Sequence, residues 1–139
     1  MAEHKLNIGD SKSKKTYKKV TEDISSLYGK KLGETINGEL IDLNGYELEI
    51  TGGSDASGFP MRKDVDGTAR KRILIVGGVG MRNQKRKGLK LRKMVAGNTI
   101  YEKTSQINLK VTKWGKDPIE KPAEPEGEAA PAEEAKAEE

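Results

Sequence analysis

The sequence predicts an all-β fold: a small β-barrel with Gly-rich turns, basic loop extensions and a disordered acidic C-terminal tail. Three observations carry this. Several short segments alternate apolar and polar residues with period two, which turns one strand face inward and the other to water. Glycine-rich and Asn-Gly turns separate those segments. No long stretch repeats apolar residues at the helical period, and short strands without amphipathic helices point to a barrel or a sandwich.

Taken in order, residues 5–8 form a short strand ending at Gly9 and Asp10, and residues 11–15 a basic, polar turn. Residues 16–21 carry β-formers at most positions and make a second strand. Residues 22–27 fit either a short helical turn or a loop. Two Asn-Gly pairs follow, Asn37-Gly38 and Asn44-Gly45. Each predicts a type I′ hairpin turn, whose two central residues both take positive φ. Around the second pair, residues 40–43 lead in and residues 46–51 lead out, with Tyr46, Leu48 and Ile50 alternating with Glu47 and Glu49. Gly52, Gly53, Ser54 and Asp55 are expected to break that strand. Residues 72–76 form the next strand, and the continuous apolar run from Ile73 to Val76 predicts burial on both sides. Residues 99–101 make a short strand. Residues 106–114 alternate most cleanly, with Ile107, Leu109 and Val111 on one face. After Ile119 the chain is mostly Ala, Glu and Pro, with no β-branched residue. Such a segment cannot bury enough to offset its chain entropy. The expected organisation is one β domain over residues 1–117 and a disordered tail over residues 118–139.

Composition narrows the function. Of 139 residues, 33% are hydrophobic and 35% charged, so the core is thin and gains stability from a partner. With no cysteine there is no disulfide framework and no thiolate metal site, which suits the cytoplasm. No apolar run approaches the roughly 20 residues that span a bilayer. Residues 1–10 hold no signal-peptide core.

Charge is strongly segregated. Residues 117–139 contain nine acids and two bases and carry −7, which leaves +11 on residues 1–116. The excess concentrates behind the apolar strand. Seven of the residues 82–93 are basic, namely Arg82, Lys85, Arg86, Lys87, Lys90, Arg92 and Lys93. No Asp or Glu occurs between Asp66 and Glu102. Like charges this dense must be solvated or matched by a polyanion, and nucleic-acid phosphate is the natural match. A second cluster, Arg70, Lys71 and Arg72, precedes the same strand, with Arg62 and Lys63 before it. Leu89, Leu91 and Gly88 interleave the basic residues, as befits an arm that lies against RNA rather than a merely solvated loop. The few aromatic residues are scattered, so backbone and shape contacts are expected over base stacking.

Other motifs fail on inspection. A dinucleotide-binding fingerprint counted from Gly78 keeps Gly80 but meets Asn83 at its third glycine, and a P-loop counted from Gly77 meets Arg82, Asn83 and Gln84. Asp64, Val65, Asp66 and Gly67 begin like a calcium loop, but Ile75 stands at the glutamate position. The single histidine, His4, has no nucleophile or metal partner in pattern. Asp55, Asp64 and Asp66 sit among turn residues and fit Asx turns better than acid-base pairs. No catalytic residue, cofactor, metal or small-molecule substrate is indicated.

One string is specific. Gly52, Gly53, Ser54, Asp55, Ala56, Ser57, Gly58, Phe59, Pro60 and Met61 closely resemble the signature of small-subunit ribosomal protein six of the archaeal and eukaryotic type. Residues 5–8, the stretch from Arg70 through the basic island, and residues 106–114 resemble that family's first strand, basic loop and last core strand. The resemblance covers roughly residues 5–120. It implies a small β-barrel with basic extensions, and a structural role binding ribosomal RNA beside neighbouring ribosomal proteins on cytoplasmic ribosomes. The glycines of the signature would permit turns, Asp55 would bond backbone amides, and Phe59-Pro60 would anchor a turn in the core. Eukaryotic members continue into a long basic tail with clustered serines. Here the chain after Pro118 is acidic and has no Ser or Thr, which fits an archaeal-type member. Two rival readings are a free, non-ribosomal RNA-binding translation factor and a small enzyme using the carboxylates near Asp55.

Overall fold

The computed structural model describes residues 3–81, 86, 88–115 and 119. It contains seven strands: β1 (His4–Asp10), β2 (Lys15–Thr21), β3 (Thr35–Asn37), β4 (Glu47–Asp55), β5 (Lys71–Ile75), β6 (Leu91–Val95) and β7 (Thr104–Lys113). Five of them form one sheet in the order β2-β1-β7-β4-β3, and β5 and β6 pair alone as a ribbon. Strand β1 runs parallel to β7, and every other pairing of named strands is antiparallel. The all-β class is as expected, but the barrel is not closed. Among the described residues β2 and β3 remain as sheet edges. Strand β3 has only three residues to offer a partner, and β2 carries Lys15, Lys18 and Lys19 along its edge. Short and lysine-bearing edges resist further pairing.

The period-two pattern sets the main core. Leu6 and Ile8 of β1, Leu48 and Ile50 of β4, and Ile107, Leu109 and Val111 of β7 all turn to one side and are buried. Each fully buried aliphatic side chain of this kind contributes about 1.5–3 kcal/mol. The undecided stretch before β3 closes over them as a 3-10 turn, Ser25–Leu27, with Ile24 and Leu27 as plugs. Ile119 also packs against this cluster. A smaller cluster of Val65, Ile75 and Val95 lies under the ribbon. The tail expected to be disordered falls outside the described residues, apart from Ile119.

Four local expectations are corrected. Asn37 has φ −75° and opens a 3-10 turn, Gly38–Ile41, instead of a hairpin. At the second pair only Gly45 takes positive φ, so no type I′ turn forms, and residues 38–46 bridge β3 to β4 as a longer connection. Residues 99–101 contribute only one isolated bridge, Thr99 to Lys31. Strand β5 is buried on one face only: Leu74 is 57% exposed because the ribbon has no sheet above it.

A fifth correction matters most. Residues 52–55 do not end the strand, because β4 continues to Asp55 through register shifts at Ile50/Gly52 and Ser54/Asp55. Gly53 lies so close to β7 that a Cβ there would stand 2.6 Å from the Gln106 carbonyl and 3.0 Å from the Met61 sulfur. The chain then doubles back. Met61 N donates to Gly53 O at 2.9 Å, and Asp55 N donates to Phe59 O at 3.0 Å. Ala96 N donates to Pro60 O at 2.9 Å, and Arg62 N to Ala96 O at 3.2 Å, which fastens the end of β6 to the returning segment. The core anchor of this turn is Met61, 3% exposed, while Phe59 and Pro60 are only half-buried.

Asp55 fixes the joint electrostatically. Its side chain is fully buried and accepts from Arg70 Nε at 2.5 Å, Tyr101 Oη at 3.1 Å and the Ala56 amide at 2.6 Å. Burial pushes the carboxyl up, but the bonds from Arg70, Ala56 and Tyr101 outweigh it and hold the group below its ordinary range. Arg70 also donates to Ser57 Oγ at 3.0 Å and lies over the Phe59 ring.

Two predictions follow from this joint. Gly53→Ala should cost about 1–3 kcal/mol by overpacking against a backbone that cannot yield. Gly52→Ala should be near neutral, because the nearest atom to its added Cβ is 3.9 Å away. Equal unfolding midpoints for the two variants in urea would contradict the close approach. A lowered folded-state pKa means that Asp55 stabilises fully above about pH 4, and that this contribution is lost as pH falls through the depressed value. Asp55→Asn should therefore cost about 1–3 kcal/mol at neutral pH and show a shallower acid loss of stability than the parent. Parallel acid limbs in thermal unfolding would refute this assignment.

Candidate nucleic-acid interface

The basic residues divide by what the fold does with them. In the ribbon, Arg72 pairs in register with Met94 and Leu74 with Arg92. Opposite residues in an antiparallel pair share a face, so Arg72, Leu74, Arg92 and Met94 form an alternating basic and apolar surface. All four are exposed, Leu74 at 57% and Met94 at 40%. The other face carries Ile75 and Val95 into the small cluster, with Lys71 and Lys93 exposed at its margin. Lys90 and Arg86 are exposed beyond the start of β6. Arg82, Lys85 and Lys87 lie outside the described residues.

Arg62 and Arg70 are engaged internally. Arg62 Nη2 donates to Asp64 Oδ2 at 2.6 Å, and Nη1 donates to the Val79 carbonyl at 2.8 Å. This ties the loop after β5 to the segment that leaves the joint. Arg70 is bound by Asp55, and that bond raises its already high pKa further. Lys63 is exposed and its Nζ lies over Gly33, at the rim of a groove of about 300 Å³ floored by Leu32, Ile50 and Met61. The fold thus brings Lys71, Arg72, Arg92 and Lys93 together on one ribbon and holds Arg62 and Arg70 beneath it as ties. Signature residues Gly52, Gly53, Asp55, Gly58, Phe59, Pro60 and Met61 make the joint that carries the ribbon.

Sequence reasoning missed several contributors. Tyr101 completes the Asp55 site, and nothing in its flanking residues marks it. Asp10 organises the β1–β2 turn, accepting from the Lys12 amide, the Ser13 hydroxyl and the Trp114 indole. The Ser13 and Trp114 bonds are the main reason its carboxyl falls to about 2. Lys12 lies 4.0 Å from the centre of the Trp114 ring, which clamps that turn to the chain leaving β7. Asn7, Gln106 and Asn108 stand on the outer sheet face at positions where strands prefer β-branched residues, and that mismatch was the available signal.

Chemically, the ribbon can neutralise phosphates with arginine and lysine while leucine and methionine meet apolar surface. Among the described residues no group of three His, Asp or Glu side chains converges to hold a metal. No helix of the described residues is long and apolar enough to cross a membrane.

Comparison with known proteins identifies the family. The family described as Ribosomal protein S6e matches residues 4–124. The small ribosomal subunit protein eS6 of Archaeoglobus fulgidus is 49% identical over 121 residues, covering 85% of this chain and 93% of that protein. The protein of the same name from Methanosphaera stadtmanae is 51% identical over 107 residues, covering 76% and 82%. That from Nanoarchaeum equitans is 44% identical over 116 residues, covering 84% and 86%. The match runs from the first strand through the joint, ribbon and last strand, and the chain belongs to the ribosomal protein S6e family.

Proposed function

We propose that this chain is a structural constituent of the small ribosomal subunit, bound to ribosomal RNA and to neighbouring ribosomal proteins, and that it supports translation without catalysing a reaction. One observation carries the RNA contact. The outward face of the ribbon presents Arg72 and Arg92 in a stretch where no acidic residue occurs between Asp66 and Glu102. Unopposed arginines on a projecting ribbon suit the phosphate backbone, which they grip through a planar fork.

In this reading Arg82, Lys85, Arg86, Lys87, Lys90, Arg92 and Lys93 make most phosphate contacts, joined by Lys63, Lys71 and Arg72. Arg62 and Arg70 act first as internal ties. The acidic tail stays clear of the RNA, repelled by its charge.

Replacing Arg82, Lys85, Arg86 and Lys87 by Ala should flatten the dependence of log affinity on log salt by about 0.7–0.9 per lost contact. An unchanged slope removes these residues from the interface. Arg70→Ala should instead lower stability by about 1–3 kcal/mol and leave the slope alone. The assembly itself is tested by sedimenting a cell extract through a density gradient after a moderate salt wash. A structural constituent travels with the small subunit in stoichiometric amount. Recovery at the top of the gradient would transfer the reading to a free RNA-binding translation factor.

A further inference from the structure

The sheet face opposite the main core is built for contact. Strand register sets Lys18, Asn7, Asn108 and Gly52 in one row across β2, β1, β7 and β4. Lys5 and Gln106 are neighbours in the row on one side, and Gly9 and Lys110 in the row on the other. Asn and Gly are poor strand residues, yet here they occupy the middle of the three central strands. A face that met only water would be better made of threonine and lysine.

The amides are held in place by one another. Asn7 Nδ2 donates to Asn108 Oδ1 at 3.0 Å, and Gln106 Nε2 donates to the same oxygen at 2.9 Å. The Asn108 backbone carbonyl accepts the Thr51 hydroxyl at 3.0 Å. Among the described residues this leaves Asn108 Nδ2 and the side-chain oxygens of Asn7 and Gln106 without protein partners. One unengaged amide nitrogen and two unengaged amide oxygens therefore stand preset on a patch kept flat by Gly9 and Gly52. Exposed Lys5, Lys18 and Lys110 frame the patch.

We propose that this face docks the minor groove of a double-helical RNA segment, with the amides on ribose hydroxyls and base edges and the three lysines on flanking phosphates. The proposal rests on the ribosomal RNA reading and adds a second surface to the ribbon. The minor groove of A-form RNA is wide and shallow, and its 2′-hydroxyls both donate and accept, as an amide array requires. A protein partner is disfavoured because interface centres are apolar, and the apolar side chain nearest the patch is Val20 on the edge strand, opposite Lys5. Single-stranded RNA is disfavoured because stacking needs aromatic side chains, and Tyr17 of β2 packs against the core instead.

Two measurements on the full-length chain test this. The double variant Asn7→Thr, Asn108→Thr exchanges amides for better strand formers, so folding should persist, with thermal unfolding as the check. Its affinity for protein-free small-subunit ribosomal RNA should fall about tenfold, the loss of one or two net hydrogen bonds. The salt slope should not change, because no charge is removed. An affinity within about twofold of the parent overturns the proposal. The chain has no cysteine, so a single one can be placed at Thr16 on this face and another at Gly88 in the basic arm. Each can carry a hydroxyl-radical source into reconstituted small subunits. Cuts from Thr16 on both strands of one RNA duplex are expected. Cuts from Gly88 alone would overturn the sheet-face contact and leave the ribosomal reading standing, whereas no RNA cuts from either position would remove both.

Discussion

The buried carboxylate of Asp55 is the constraint on which the arrangement of this chain depends. A charge removed from water persists only when its oxygens are fully engaged. The three donors that engage it come from three places: the start of the signature turn at Ala56, the entry to the ribbon at Arg70, and the loop before β7 at Tyr101. One side chain thereby fixes where β4 ends, how the chain turns back, and where β5 begins. The bonds from the Ala96 amide to the Pro60 carbonyl and from the Arg62 amide to the Ala96 carbonyl secure the other strand of the ribbon to the same segment.

This division of labour explains the make-up of the molecule. The five-stranded sheet and the connections that close over it build the main apolar core, whereas the ribbon buries only Ile75 and Val95, against Val65. A two-stranded ribbon has little stability of its own in water. It stays in place because the joint holds both of its strands, and it can then spend its outward surface on arginine, leucine and methionine. Two of the twelve basic residues singled out in the sequence, Arg62 and Arg70, belong to the holding rather than the presenting part.

Legibility in the sequence followed sequence separation. Strands β4 and β7 were visible because their inward and outward residues alternate locally, and β2 because β-formers fill most of its positions. The open sheet was not read from the sequence, since closure depends on whether two strands far apart in the chain meet, although the lysines of β2 and the shortness of β3 suit unpaired edges. Asn37 shows a further limit: Asn-Gly favours a hairpin turn, but Gly38 is buried and begins a 3-10 turn that packs Ile41 into the core. Core packing overrode the local preference. The apolar run before the basic island read as doubly buried because local sequence does not tell a central strand from a ribbon. The signature was recognised as a string, while its role as a joint emerged only from contacts over 15 and 46 residues of sequence, to Arg70 and Tyr101.

The most direct test of the joint is hydrogen exchange across the backbone of the Asp55→Ala variant under native conditions. If Asp55 pins the ribbon, amides of β5 and β6 lose protection strongly while those of β1 and β7, paired in the middle of the large sheet, keep most of theirs. Uniform loss of protection throughout the chain, or unchanged protection in the ribbon, would contradict the account.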